Sequence, residues 1–416
     1  TEKPITFFSV PVRLDNKSMI GSSFSTPGGA TKAFYRMFSS PINFDTIRAK
    51  DFWGYLGDHR YQWRFRVPID GLENWKDGED EVIKSGISYF IITRSGSSIS
   101  GTSGITNKFE NFHRDGIQLQ KGFNYIGNPF AFEIPNSKLK FNDQNQNFSN
   151  NAWYYSGNYQ WVLREPFKIW GGYCIYADSP TQFLVDETIT SSTLLKESEI
   201  TDGWEMQITA TDGEMHDISN YIGMNTNSSN KFDKNDFREP PRFDNGLALL
   251  FPHDDWDEKS GNYAGDFREL NNSGNEWDLK LLSENGKLIE LDFTTQGNFP
   301  SNFTYVLFDK DNLRYVDINN GKAKIFSETG ERNLKLFVGS IDYQQKAKQE
   351  IKLTPNEFKL YQNYPNPFNG MTKIFYHIPV DGQVCLDVYS ILGSKVTTLV
   401  NRQMAAGVYE ATLDAS

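Results

Sequence analysis

The chain has 416 residues, 42 Lys and Arg against 53 Asp and Glu, a formal net charge of −11 and 15% aromatic side chains. That length is too great for one ordinary core, so two or three domains are expected. An acidic surface repels phosphate backbones and anionic lipid, and no apolar run approaches the roughly 20 residues that cross a bilayer, so neither nucleic acid nor membrane insertion is expected.

The 32 Phe, 20 Tyr and 9 Trp are set among Gly, Asn, Asp and Ser clusters, the pattern of short strands and long loops. No long, capped segment of 3.6-residue period is found, so the expected fold is all-β. Cys174 and Cys385, the only cysteines, fall in different expected domains, which predicts two unpaired thiols rather than a disulfide framework or a thiolate zinc site. The chain opens on Thr1 with no basic-then-apolar leader, as expected of a processed chain whose signal peptide has gone.

In chain order, residues 5–12 read as an opening strand that Pro11 confines to an edge. Tyr61, Trp63 and Phe65 alternate with Gln62, Arg64 and Arg66, a half-buried strand, and residues 87–93 read as a buried one. The Ser/Gly stretch 95–104 is a loop in which no nucleophile elbow falls in register. Trp153, Tyr155 and Trp161, with Tyr154 and Tyr159, have two readings. Aromatic faces would stack on pyranose rings and make a glycan-binding platform, or they would fill a sandwich core at about 150–250 Å² buried each. Residues 1–190 form the first expected domain.

The second expected domain covers 195–340, where strands at 204–210, 247–251, 277–282, 288–293, 304–308 and 335–338 recur at the spacing of a β-sandwich or jelly roll. Within it, Asp233, Asn235, Asp236 and Glu239 place oxygen ligands at short intervals, which suits Ca²⁺, although Asp and Asn also make turns through their own backbone. No other cofactor is indicated. The histidines, His59, His113, His216, His253 and His377, form no spaced ligand set and are expected to be surface or hydrogen-bonded residues. No Walker loop or dinucleotide fingerprint is present. Glu79, Glu81, Asp254, Asp255 and Asp257 are the carboxylates a glycosidase would need to pair, or solvated loop residues.

Residues 341–357, rich in Gln, Lys and Glu, read as a linker. The final domain, 358–416, opens on Tyr361-Gln-Asn363-Tyr364-Pro365-Asn366-Pro367-Phe368-Asn369. Two prolines exclude helix there, the asparagines suit turns, and Tyr364 and Phe368 offer faces to pin the turn to a sheet. Val384, Leu386 and Val388 should face inward on the next strand, turning Cys385 outward.

The opening at 360–369, Ile378-Pro379, the Gly-x-Val-x-Leu-x-Val-Tyr at 382–389 and the Leu-Gly-x-x-Val-x-x-Leu at 392–399 occur in order. Together they resemble the C-terminal sorting domain of proteins exported by the type IX (Por) secretion system. The resemblance covers about 60 of the 416 residues. The stretches 122–135, 167–176 and 216–241 also resemble patterns in surface proteins exported by that route. It implies an Ig-like β-sandwich at the C-terminus, export to the cell surface and contact with the type IX machinery. The family's domain continues past residue 416 with further strands, so the sandwich is expected to be incomplete here. Its last strands have been removed or lie outside the sequence, the domain is residual, or a neighbouring subunit donates a strand. The function expected is that of a secreted, non-enzymatic structural or adhesive protein that self-associates, as the subunit of a filament or layer. The alternative is a polysaccharide-binding module or accessory part of a glycan-degrading enzyme.

Overall fold

The computed structural model describes residues 11–14, 17–19, 35–43, 46–53, 63–70, 74–93, 97–99, 102–106, 116–130, 132–142, 152–157, 160–163, 165–185, 202–242, 246–327, 330–351, 355, 357–364 and 366–414. Residues 5–10, His59, Tyr61, His113, Tyr159 and Pro365, which carried sequence expectations, lie outside them. The fold is all-β, a set of mainly antiparallel sheets in a sandwich-like arrangement. Among the described residues no helix is long and apolar enough to cross a membrane.

Two compact units are formed, one of residues 1–271, 277–301 and 318–332, the other of 272–276, 302–317 and 333–416. In the first unit, Arg36–Phe38, Tyr89–Thr93, Trp63–Asp70 and Asn74–Asp77 pair in that order. The Tyr89–Thr93 strand is buried at every position, as a continuous apolar run predicts. A second sheet joins Gly122–Gly127, Gly172–Ala177, Ala152–Gly157 and Gln160–Leu163. Longer strands follow. Gly203–Thr211 pairs with His216–Asn225 on one side and Lys287–Gly297 on the other, and His216–Asn225 runs parallel to Gly261–Glu269. Trp204, Met206, Ile208 and Ala210 are buried at the period of two that a one-sided strand requires.

The sequence reading placed a boundary near residue 190, yet one aromatic core runs across it. Trp153, Tyr155, Trp161 and Leu163 from one side pack with Tyr221, Phe237, Ala264 and Phe267 from the other. This packing fixes a glycine: a Cβ on Gly265 would lie 2.1 Å from the Phe237 ring.

In the second unit Phe303–Asp309 pairs with Glu331–Ser340 and with Arg314–Val316. The expected linker contains a helix, Ile341–Glu350, whose first turn is capped by Ser340 Oγ accepting from Tyr343 N at 3.3 Å. The C-terminal strands then form two small sheets. Lys359–Leu360, Met371–Ile378 and Gly407–Asp414 make one, Gly382–Tyr389 and Lys395–Met404 the other. Tyr376, Ile378, Val400, Met404 and Ala411 are the buried core between them, with Val384, Leu386, Leu399 and Tyr409 only partly covered.

Candidate functional site

The four residues expected to hold Ca²⁺ do not converge. Asp233 Oδ1 accepts from Asn235 N at 2.8 Å and Oδ2 from Ser229 N at 2.7 Å, while Asp236 Oδ2 accepts from Asp233 N at 2.8 Å. Asp236 Oδ1 takes the Phe267 amide at 2.8 Å, and the Asn235 side chain donates back to Asn227 O and Ser228 Oγ. These are turn-forming bonds of Asp and Asn to local backbone, the alternative that the loop's composition allowed. Glu239 belongs to a different set of groups. Among the described residues no three His, Cys, Asp or Glu side chains gather as a metal site.

The expected glycan platform is corrected as well. Trp153 and Tyr155 are each 1% exposed and Trp161 8%, so no ring face is open to a sugar. Trp153 lies 6.0 Å from Phe237, Tyr155 5.1 Å from Trp161, and Trp161 Nε1 donates to Pro241 O at 3.1 Å. A sandwich interior closes on these rings because the sheet at 122–177 and the strands beyond 216 each present an apolar face.

At the C-terminal turn the geometry reverses an expectation. Tyr364 and Phe368 are exposed, and it is Tyr361 that is buried. The turn is held to the Met371–Ile378 strand by paired backbone bonds between Tyr364 and Lys373, by Tyr361 N donating to Phe375 O, and by Asn363 Nδ2 donating to Thr372 Oγ1 at 3.0 Å. The Asn366–Pro367 peptide is cis. Cys385 faces outward as expected, Cys174 is buried, and both thiols are free.

Two ionisable clusters escaped the sequence reading, and both lie in the first unit. His253 stacks on Trp256 with ring centres 3.5 Å apart. Its Nε2 is 2.8 Å from Asp266 Oδ2, its Nδ1 3.2 Å from Asp255, and Arg268 Nη2 donates to the same Asp266 oxygen at 2.8 Å. Burial, then the charge of Asp266, holds the Asp236 carboxyl well above the usual carboxylate range.

The second cluster joins Asp217, Glu239 and Arg242. Asp217 Oδ2 accepts from Leu249 N at 2.7 Å, and the Glu239 amide donates to Asn262 O. Burial pushes the Asp217 carboxyl up to about 6, against its hydrogen bonds from Leu249, Asn220 and Ser219 and the charge of Arg242. Burial first, and the Asp217 charge second, hold Glu239 far above its usual range, while Arg242 works the other way. Glu239 Oε2 is wholly covered and makes no hydrogen bond. Asp217, in the His216–Asn225 strand, lies 22 positions before Glu239, a separation no short motif reveals.

Of the carboxylates weighed as a glycosidase pair, Glu81 is tied to Lys76 and Asp255 to His253. No family model matches the chain, and no curated protein or solved structure matches it.

Proposed function

We propose that this chain is an extracellular, non-enzymatic structural or adhesive protein, carried out of the cell by a type IX-like route and joined to its neighbours through its C-terminal β-domain. The observation that carries the reading is the coverage of that domain. Gly382–Tyr389 and Lys395–Met404 pair only with each other among the described residues. Val384 and Leu386, on the inward face, stay half-buried, and Ile391 and Leu392 in the turn, with Tyr389 and Val396 on the flanking strands, are presented to solvent. A two-stranded sheet with unpaired edges and a half-covered apolar face is a template for a further strand. Strand addition from a neighbouring molecule would supply the missing backbone bonds and cover Val384 and Leu386 together. At Trp153, Tyr155 and Trp161, the rings on which the glycan-binding alternative rested, no face is open to support it.

Electron microscopy of the protein as isolated from its source is the test. Ordered fibres or sheets are expected. Dispersed single particles that stay monomeric by native mass measurement at high concentration would overturn the reading.

A further inference from the structure

Within the second unit, the turn between Phe303–Asp309 and Arg314–Val316 meets the C-terminal strands through polar side chains. Tyr361 Oη donates to Asp311 O at 3.3 Å. His377 Nε2 lies 3.2 Å from Asn312 O and 3.2 Å from Tyr361 Oη, and the two rings meet edge to face at 4.9 Å. Both residues are buried. The Arg314 guanidinium sits 4.5 Å over the Phe375 ring and adds to the same face. The turn is itself fixed: Asp309 accepts from the Asp311 and Asn312 amides and from Asn312 Nδ2, and Asp311 accepts from Asn333. The carbonyls of Asp311 and Asn312 are therefore presented to Tyr361 and His377 by a preformed structure.

We propose that the Tyr361–His377 pair is an acid-sensitive latch, which holds the C-terminal β-domain on the 309–314 turn while the imidazole is neutral and releases it when the imidazole is protonated.

In the neutral ring Nε2–H donates to the Asn312 carbonyl, and Nδ1 lies 3.4 Å from the Tyr361 oxygen, whose own hydrogen goes to Asp311 O. Protonation puts a full charge into a closed contact. The ring is beside Lys359, which is its direct partner across the strand pair. Burial, opposed by the Asn312 hydrogen bond and reinforced by Lys359, lowers the imidazole pKa below its ordinary 6.5, with Glu357 and Asp309 pulling the other way. Asp309 already spends its carboxylate on the turn, and Glu410, on the neighbouring strand, is tied to Lys373. A folded-state pKa below the ordinary value means that the contact is complete above 6.5 and is lost as pH falls through it.

The test is hydrogen exchange on the whole chain at 309–314 and 373–378, corrected for intrinsic rates, between about pH 7.5 and 5.5, where ordinary carboxylates stay ionised. Opening of these segments should rise by up to about tenfold across that window, the limit set by one proton. His377→Gln should give a flat profile. Tyr361→Phe should open the contact more at both ends yet keep the pH dependence. NMR titration of the His377 ring in the unmodified chain should give an apparent pKa below 6.5. An acid response that persists in His377→Gln, no response in the unmodified chain, or a ring pKa at or above that value would each overturn the latch.

Discussion

At the scale of single residues, Trp153, Tyr155 and Trp161 are buried in a core, and Asp233 and Asp236 bind backbone amides. Trp153, 1% exposed and packed on Phe237, is a core residue, so Trp153→Ala should remove about 3–5 kcal/mol of stability in chemical denaturation. A platform residue would have left the midpoint unmoved. Asp217 and Glu239 lead to a pH prediction. Their folded pKa values are raised, so the folded state binds protons more tightly than the unfolded chain. The stability this confers is full below the unfolded carboxylate range and is lost as pH rises through about 6 for Asp217. The Asp217 shift alone corresponds to roughly 3 kcal/mol. Thermal melts should therefore show a higher midpoint near pH 5 than near pH 8. Asp217→Asn should flatten that difference; an unchanged slope in the variant would remove the assignment.

At the scale of elements, strand existence was legible and strand company was not. The residues expected at 204–210, 288–293 and 304–308 lie inside Gly203–Thr211, Lys287–Gly297 and Phe303–Asp309, because alternation with period two is a local property. The core shared by Trp161, Tyr221 and Phe237 was not legible, since side chains on distant strands meet only through pairing that no short window contains. The same holds for Asp217 and Glu239, and for His377 with Asn312. The helix Ile341–Glu350 was missed for a different reason: its polar sequence has no clear apolar stripe, so composition read as linker. Its cap is nevertheless specific, and Ser340→Ala should cost about 1 kcal/mol and raise exchange first in the helix's opening turn. Gly265→Ala tests the packing of neighbouring strands. With Phe237 carbon 2.1 Å from the new methyl, about 1–3 kcal/mol should be lost, and Phe237→Leu in the same background should recover part of it.

At the scale of the whole molecule, charge and apolar exposure oppose each other. A chain of net charge −11 repels its own copies, whereas the turn bearing Ile391 and Leu392, 104% and 88% exposed, gains from being covered. Salt separates the two effects, because screening shortens the repulsion to about 8 Å at physiological ionic strength and leaves apolar burial intact. If neighbours join at the C-terminal domain, association measured by light scattering should strengthen between about 10 and 150 mM salt. An assembly held by ion pairs would weaken over the same range. Ile391→Lys with Leu392→Lys should abolish association while leaving the melting midpoint within about 0.5 kcal/mol of the unmodified chain, since fully exposed side chains contribute little to folding. Association that survives both lysines would place the joint elsewhere on the molecule, and a large fall in midpoint would mean that the turn serves the fold of its own domain.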